Sequence, residues 1–182
     1  MEKSIGVIEF RSIAVGIDSV DRIVKASDVR VLEAKTICPG KYYIIFAGLV
    51  SAIKNSMAVV EQYAEDFIID SVVIANAYNQ LFSAMTATSE VLNPASIGVI
   101  ETLTAPSIIW SADSAVKATD VDLVEVRIAR ALGGKNICII NGSLSDVNES
   151  VGAAIQYPQM KDFLVSWQVI PAPSPELYRV VF

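Results

Sequence analysis

The pentapeptide Ile5-Gly6-Val7-Ile8-Glu9 recurs unchanged as Ile97-Gly98-Val99-Ile100-Glu101, 92 residues further along the chain. The same offset lays Val24-Lys25-Ala26-Ser27-Asp28-Val29 on Val116-Lys117-Ala118-Thr119-Asp120-Val121, and Glu33 on Glu125. Beyond that point the offset is 94, pairing Gly40-Lys41 with Gly134-Lys135 and Gly48 with Gly142. A two-residue indel therefore lies in a turn between Lys35 and Gly40. Several matches in one order are a duplication, and two copies do not make a solenoid. The 182 residues divide into two domains, 1–92 and 93–182, with the junction around Asn93-Pro94. Each is about 90 residues, near the lower end of what folds alone.

Each copy reads as strand, helix, hairpin, helix, strand. Ile13, Ile17, Val20 and Val24 follow helical spacing, as do Leu49, Ile53, Met57 and Val60. Val29 to Ile37 and Tyr42 to Ala47 are β-branched and aromatic runs, separated by the turn signal Pro39-Gly40. Phe67 to Ile74 reads as a further strand broken by Asp70. In the second copy Ser143-x-x-Asp146 has the form of a helix start, and Pro171, Pro173 and Pro175 close the last strand. The fold class is α/β (α+β). Two tandem units are expected, each a small, mostly antiparallel, ferredoxin-like sheet with flanking helices.

The chain carries 14 Lys+Arg against 20 Asp+Glu and has no basic run, which excludes a nucleic-acid partner on electrostatic grounds. Mean hydropathy is +0.48, yet neither Tyr42 to Ile53 nor Ser71 to Ser89 reads as a membrane span. Apolar content without a span points to surface buried in an oligomer. The N-terminus enters a strand pattern with no signal core, and two distant cysteines do not form a disulfide framework; the cytosol is the expected compartment. Histidine is absent, so the commonest general base and metal ligand is missing and no enzyme is expected.

Ile-Gly-x-x-Glu opening a unit, and Val-Lys-Ala-[Ser/Thr]-Asp-Val closing its first helix, resemble the shell domain of bacterial microcompartments. Both copies carry the pattern, in the strand order of ordinary rather than circularly permuted shell domains. The resemblance implies a non-enzymatic tile built from a homotrimer with pseudo-sixfold symmetry, set among other shell proteins of a microcompartment in the cytoplasm. It also implies that the hairpin loops ring a central pore. The pore-lining residues would then be Thr36, Ile37, Pro39 and Gly40 in copy one, and Arg130, Ala131, Leu132, Gly133 and Gly134 in copy two. Lys25 and Lys117 would lie at the tile edge. The family's Ile-Pro-Arg-Pro-His stretch is replaced by Ile74-Ala75-Asn76-Ala77 and Ile170-Pro171-Ala172-Pro173, so the edge arginine is missing twice.

Cys38 lies within Thr36-Ile37-Cys38-Pro39-Gly40-Lys41. A lone cysteine is usually a small buried apolar residue, but a Pro-Gly turn runs over the surface. The segment resembles the pore loop of tandem shell proteins that bind an iron–sulfur cluster, as in the propanediol-utilisation compartment. One thiolate cannot hold a cluster that wants about four sulfur ligands. Three Cys38 thiolates around a threefold axis would suit three irons of a cube, leaving the fourth to solvent or another ligand. The resemblance therefore implies one [4Fe–4S] cluster per trimer, for electron transfer with a redox partner or for cluster supply across the shell. Two alternatives stand beside it: a tile whose opening conducts small polar metabolites, and a small-molecule-binding regulator of another class.

Cys138, inside Ile137-Cys138-Ile139-Ile140, matches Ile44 and is expected in the core. Glu9 and Glu101 invite a reading as an acid–base pair; bonding to backbone amides is the simpler expectation. Gly133-Gly134-Lys135 lacks the spacing of a phosphate loop. Trp110 and Trp167 do not match between copies and are expected to pack helices or interfaces.

Overall fold

The computed structural model describes residues 4–86, 95–129 and 132–181. The first copy runs β1 (Ser4–Phe10), α1 (Ile13–Ala26), β2 (Val29–Ile37), β3 (Lys41–Gly48), α2 (Val50–Ala64), a 3-10 turn, β4 (Ile68–Ile74) and α3 (Gln80–Met85). The second repeats it as β5 (Ser96–Thr102), α4 (Ala105–Ala118), β6 (Asp122–Arg127), β7 (Asn136–Gly142), α5 (Leu144–Ala154), α6 (Gln156–Met160), β8 (Leu164–Ile170) and α7 (Pro175–Val181). The sheets are β2-β3-β1-β4 and β6-β7-β5-β8, every pairing antiparallel. This is the expected α/β architecture in both copies.

The chain forms two compact units. The first holds Met1–Ala77 with Thr104–Pro106 and Ala129–Gly134; the second holds Tyr78–Leu103, Ser107–Ile128 and Lys135–Phe182. The junction expected near Asn93-Pro94 lies outside the described residues.

The repeated Ile-Gly-Val-Ile-Glu motif has a packing cause. A Cβ on Gly6 would stand 2.5 Å from Phe46 Cζ and 2.9 Å from Ile53 Cγ2. On Gly98 it would stand 2.7 Å from Ile140 Cγ1 and 2.9 Å from Val151 Cγ2. Glycine at the strand centre lets a large side chain of the next strand and a helix residue close over the sheet. The core so formed in the first copy joins Ile8, Phe10, Ile44 and Phe46 to Ile23, Ile53 and Met57. Each such side chain contributes about 1.5–3 kcal/mol on full burial.

Helix starts follow their side chains. Ser12 accepts a hydrogen bond from the Val15 amide, and Ser143 accepts one from the Asp146 amide at 3.1 Å, as the Ser143-x-x-Asp146 pattern implies. The α1 residues facing the core are Gly16, Ser19 and Ile23, whereas Ile13, Ile17 and Val24 are exposed. Apolar spacing identified the helix but not which face the single chain buries. Two expectations need correction. Leu49 lies outside α2 as its exposed N-cap, while Ile53, Met57 and Val60 are buried. Asp70 does not break β4: it lies opposite Glu9 with a bulge beside it, and its carboxylate accepts from the Ser71 amide and the Thr104 hydroxyl. A carboxylate with partners sits in a strand without ending it. Helices α3, α6 and α7 were not foreseen, being short and lacking a long apolar period.

Candidate functional site

Strands β2 and β3 deliver the candidate site by their pairing, which runs from Val29 opposite Gly48 to Ile37 opposite Lys41. Cys38, Pro39 and Gly40 form the turn, all three exposed, with Gly40 at φ 72° and the Cys38–Pro39 peptide bond cis. Thr36 and Ile37 are the last residues of β2 rather than of the loop; Thr36 is exposed and Ile37 buried.

The Cys38 amide donates to the Ala129 carbonyl at 3.3 Å. Ala129 is itself buried and held at φ 36°, a conformation that costs an alanine free energy and persists only where surroundings impose it. Gly134 closes the contact. It adopts φ 88°, and a Cβ there would meet Pro39 Cδ at 2.9 Å and the Cys38 carbonyl oxygen at 3.2 Å. Only glycine combines that backbone with that approach. Ala129 and Gly134 thus belong to the same compact unit as the cysteine turn. Leu132 and Gly133 adjoin it, with Gly133 at φ 61°; Arg130 and Ala131, also expected at the pore, lie outside the described residues. Ala129 escaped the sequence reading because an alanine in a loop gives no signal.

Next to the hairpin turn stands a buried polar cluster. Lys41 donates to Glu9 Oε1 at 2.5 Å, and the Ala105 amide, in the first turn of α4, donates to Glu9 Oε2 at 2.6 Å. Beside them Thr104 Oγ1 donates to Asp70 Oδ2 at 2.6 Å. Burial pushes the Glu9 carboxyl above its ordinary value of 4.5; the Ala105 amide and Lys41 oppose that. Glu9 thus bonds a backbone amide and does not pair with Glu101, which is partly exposed and accepts from Lys135 at 2.9 Å. A carboxylate at the start of a helix also meets favourable dipole ends.

The two cysteines have opposite settings. Cys38 is exposed, while Cys138 is wholly buried and desolvation pushes its thiol up to about 12. Cys138 is a core residue, as expected, and inert toward metals. Among the described residues no three His, Cys, Asp or Glu side chains gather where they could hold a metal ion. No helix among those residues is long and apolar enough to cross a membrane. Lys25 and Lys117 end α1 and α4, each paired at 2.5 Å with the aspartate one turn earlier, Asp21 or Asp113. Trp110 stacks on Tyr157 with ring centroids 5.2 Å apart, and Trp167 is exposed on β8.

The BMC domain family model matches residues 4–77 and again 96–173. The chain is 36% identical over 179 residues to the bacterial microcompartment shell protein PduT of Citrobacter freundii, covering 98% of this chain and 97% of that protein. It is 33% identical over 91 residues to the carboxysome shell protein CcmK3 of a Synechocystis species, spanning 48% of this chain and 86% of that one. Among solved structures, a microcompartment protein from Desulfitobacterium hafniense superposes with a TM-score of 0.84 at 36% identity, over 98% of this chain and 99% of that one. The fused permuted hexameric shell protein MSM0275 shares the fold alone, with a TM-score of 0.66 and 20% identity over 86% of this chain and 81% of that one. Both halves match one family model and almost the whole length matches a shell protein, so the chain belongs to the BMC-domain family of bacterial microcompartment shell proteins and carries that domain twice in tandem.

Proposed function

We propose that three chains close into a shell tile, placed among other shell proteins, in which the first-copy hairpins meet at the threefold axis and Cys38 of each chain ligates one shared [4Fe–4S] cluster. The observation that carries this reading is the contrast between the two cysteines. Cys38 is presented to solvent at a turn tip, whereas the second copy keeps its thiol in the core and has Leu132-Gly133-Gly134 near the corresponding tip. One chain offers one accessible thiol, so a cluster that wants about four sulfur ligands fits only an assembly of chains.

Within the chain the roles divide simply. Cys38 supplies the thiolate. Its amide, held by the Ala129 carbonyl, and the close approach of Gly134 to Pro39 fix the turn's backbone, so that little ordering remains when a ligand binds. Cys138 stays out of the chemistry. When bound, the cluster would supply one-electron transfer between the two sides of the shell, or cluster delivery to enclosed enzymes.

Purification and reconstitution without oxygen should give a brown protein with one cluster per three chains. Cys38→Ser should be colourless at unchanged native mass. Equal iron in wild type and Cys38→Ser would refute the ligand assignment. A colourless wild-type trimer would leave a tile whose central opening conducts small polar solutes.

A further inference from the structure

The two hairpins carry charge unlike the rest of the chain. Residues 29–48 and 122–142 hold six of its 14 Lys+Arg but only three of its 20 Asp+Glu, although the net charge is -6. Both copies arrange the last part of the first hairpin strand alike. On β2, Glu33 and Lys35 lie opposite Ile45 and Tyr43; on β6, Glu125 and Arg127 lie opposite Ile139 and Ile137. Positions two apart share one face of a strand. In each copy the carboxylate bonds the cation beside it, and the cation is the more exposed partner. The Lys35 side chain is 48% exposed against 24% for Glu33, and Arg127 51% against 20% for Glu125. Each pair thus turns its positive head to solvent.

The neighbouring Glu–Lys pairs differ between copies. Glu9 is fully and Lys41 largely buried, whereas their counterparts Glu101 and Lys135 are open. The covering that closes Glu9 and Lys41 leaves Lys35 as open as Arg127, so these cations stay accessible where that face is packed. Lys35 stands three residues before Cys38, about 10 Å along the strand. At physiological salt the Debye length is about 8 Å, so the local cations outweigh the screened acidic remainder for a body at the hairpin tip. Among the described residues, no exposed large apolar side chain lies on β2, β3, β6 or β7. A charged surface without an apolar anchor suits a brief, electrostatically steered encounter of the kind redox partners make, not a permanent interface.

We infer that Lys35 and Arg127 form a docking rim for a small acidic electron-carrier protein, whose surface carboxylates meet the outward cations of each hairpin. The inference rests on the reading proposed above: the cluster gives such a carrier its purpose, and the threefold tile sets three copies of each cation about one axis.

Binding tests it, with a plant-type [2Fe–2S] ferredoxin as the acidic probe and cytochrome c as the basic control. Wild type and Cys38→Ser should both bind ferredoxin at about 0.15 M salt, and at about 1 M both should lose that binding. Lys35→Glu with Arg127→Glu should lose about tenfold in affinity for ferredoxin and gain affinity for cytochrome c, at unchanged native mass. If charge reversal disturbs assembly, Lys35→Gln with Arg127→Gln should show the same order with a smaller loss. A local probe runs alongside on metal-free protein, in which Cys38 is the exposed thiol. The ratio of its alkylation rates by anionic iodoacetate and neutral iodoacetamide cancels the thiolate fraction and reads the potential at the turn. That ratio should fall about two- to threefold in Lys35→Glu at about 0.01 M salt. A brown trimer that binds no ferredoxin, or binds it equally well in the double variant, would overturn the rim and leave the cluster standing. A colourless wild type that still binds ferredoxin in this salt- and charge-dependent way would uphold the rim and overturn the cluster. An unchanged alkylation ratio, or equal binding of a short DNA duplex, would overturn the carrier.

Discussion

Gly133 and Gly134 are neighbours with different tasks. Both have positive φ, but a Cβ on Gly133 meets nothing within 4 Å, whereas one on Gly134 meets Pro39 and the Cys38 carbonyl. Gly133→Ala should therefore cost about 1–2 kcal/mol, the left-handed penalty alone. Gly134→Ala should cost about 1–3 kcal/mol more, because the hairpin tip must move. Denaturant titration of the two variants checks the order. Glu9 gives a second prediction, in pH. Its folded-state pKa is raised by burial, so the folded protein holds this proton more tightly than the unfolded chain does. The stabilisation is complete below the ordinary value of 4.5 and is lost as pH rises through the raised one. Glu9→Gln should flatten that decline in a series of Tm against pH; an unchanged slope would assign it to other groups. Cys138, buried and pushed up to about 12, should react with a thiol reagent only after unfolding, so metal-free native protein should show one reactive thiol per chain.

At the scale of the element, α1 and its strand partner show how the copies exchange volume. Gly16 closes the first turn of α1, and a Cβ there would stand 2.5 Å from the Tyr42 ring. The duplicate positions hold Ile108 and Asn136. Alanine normally stabilises a helix interior over glycine by about 1 kcal/mol, but Gly16→Ala should destabilise by about 1–3 kcal/mol through overpacking. A double-mutant cycle with Tyr42→Ala should show coupling between the two sites. The strand, helix, hairpin, helix, strand order, the β2–β3 turn and the α5 cap were legible because each rests on local signals: β-branched runs, Pro39-Gly40, and Ser143 with Asp146. The inward face of α1 was not. Its apolar stripe obeys helical spacing, but its buried side carries Gly16, Ser19 and Ile23 against an aromatic strand. A hydrophobic period shows that a face must be covered without saying which molecule covers it. Helices α3 and α7, of six and seven residues, are too short for periodicity to declare.

For the whole molecule, the duplication and the shell-domain membership were legible from repeated motifs, because both copies must solve the same packing problem at Gly6 and Gly98. The cysteine's exposure followed from its turn. The support it receives from Ala129 and Gly134 did not, since those residues lie far along the chain and nothing local to either points to the cysteine turn. The molecular prediction is dependence on concentration. Apolar side chains on α1 are exposed in a single chain, so thermal stability should rise with protein concentration in wild type and rise less in Ile17→Asp.

The difference between the two hairpin tips has a numerical consequence. A ring of six identical separate subunits would bring six thiols to its centre, more than the four irons of one cube can take, and a random mixture of two subunit types would bring an unpredictable number. Joining the copies covalently and keeping the cysteine in only one enforces strict alternation, so the proposed ring presents thiol stoichiometry as a property of the gene rather than of expression levels.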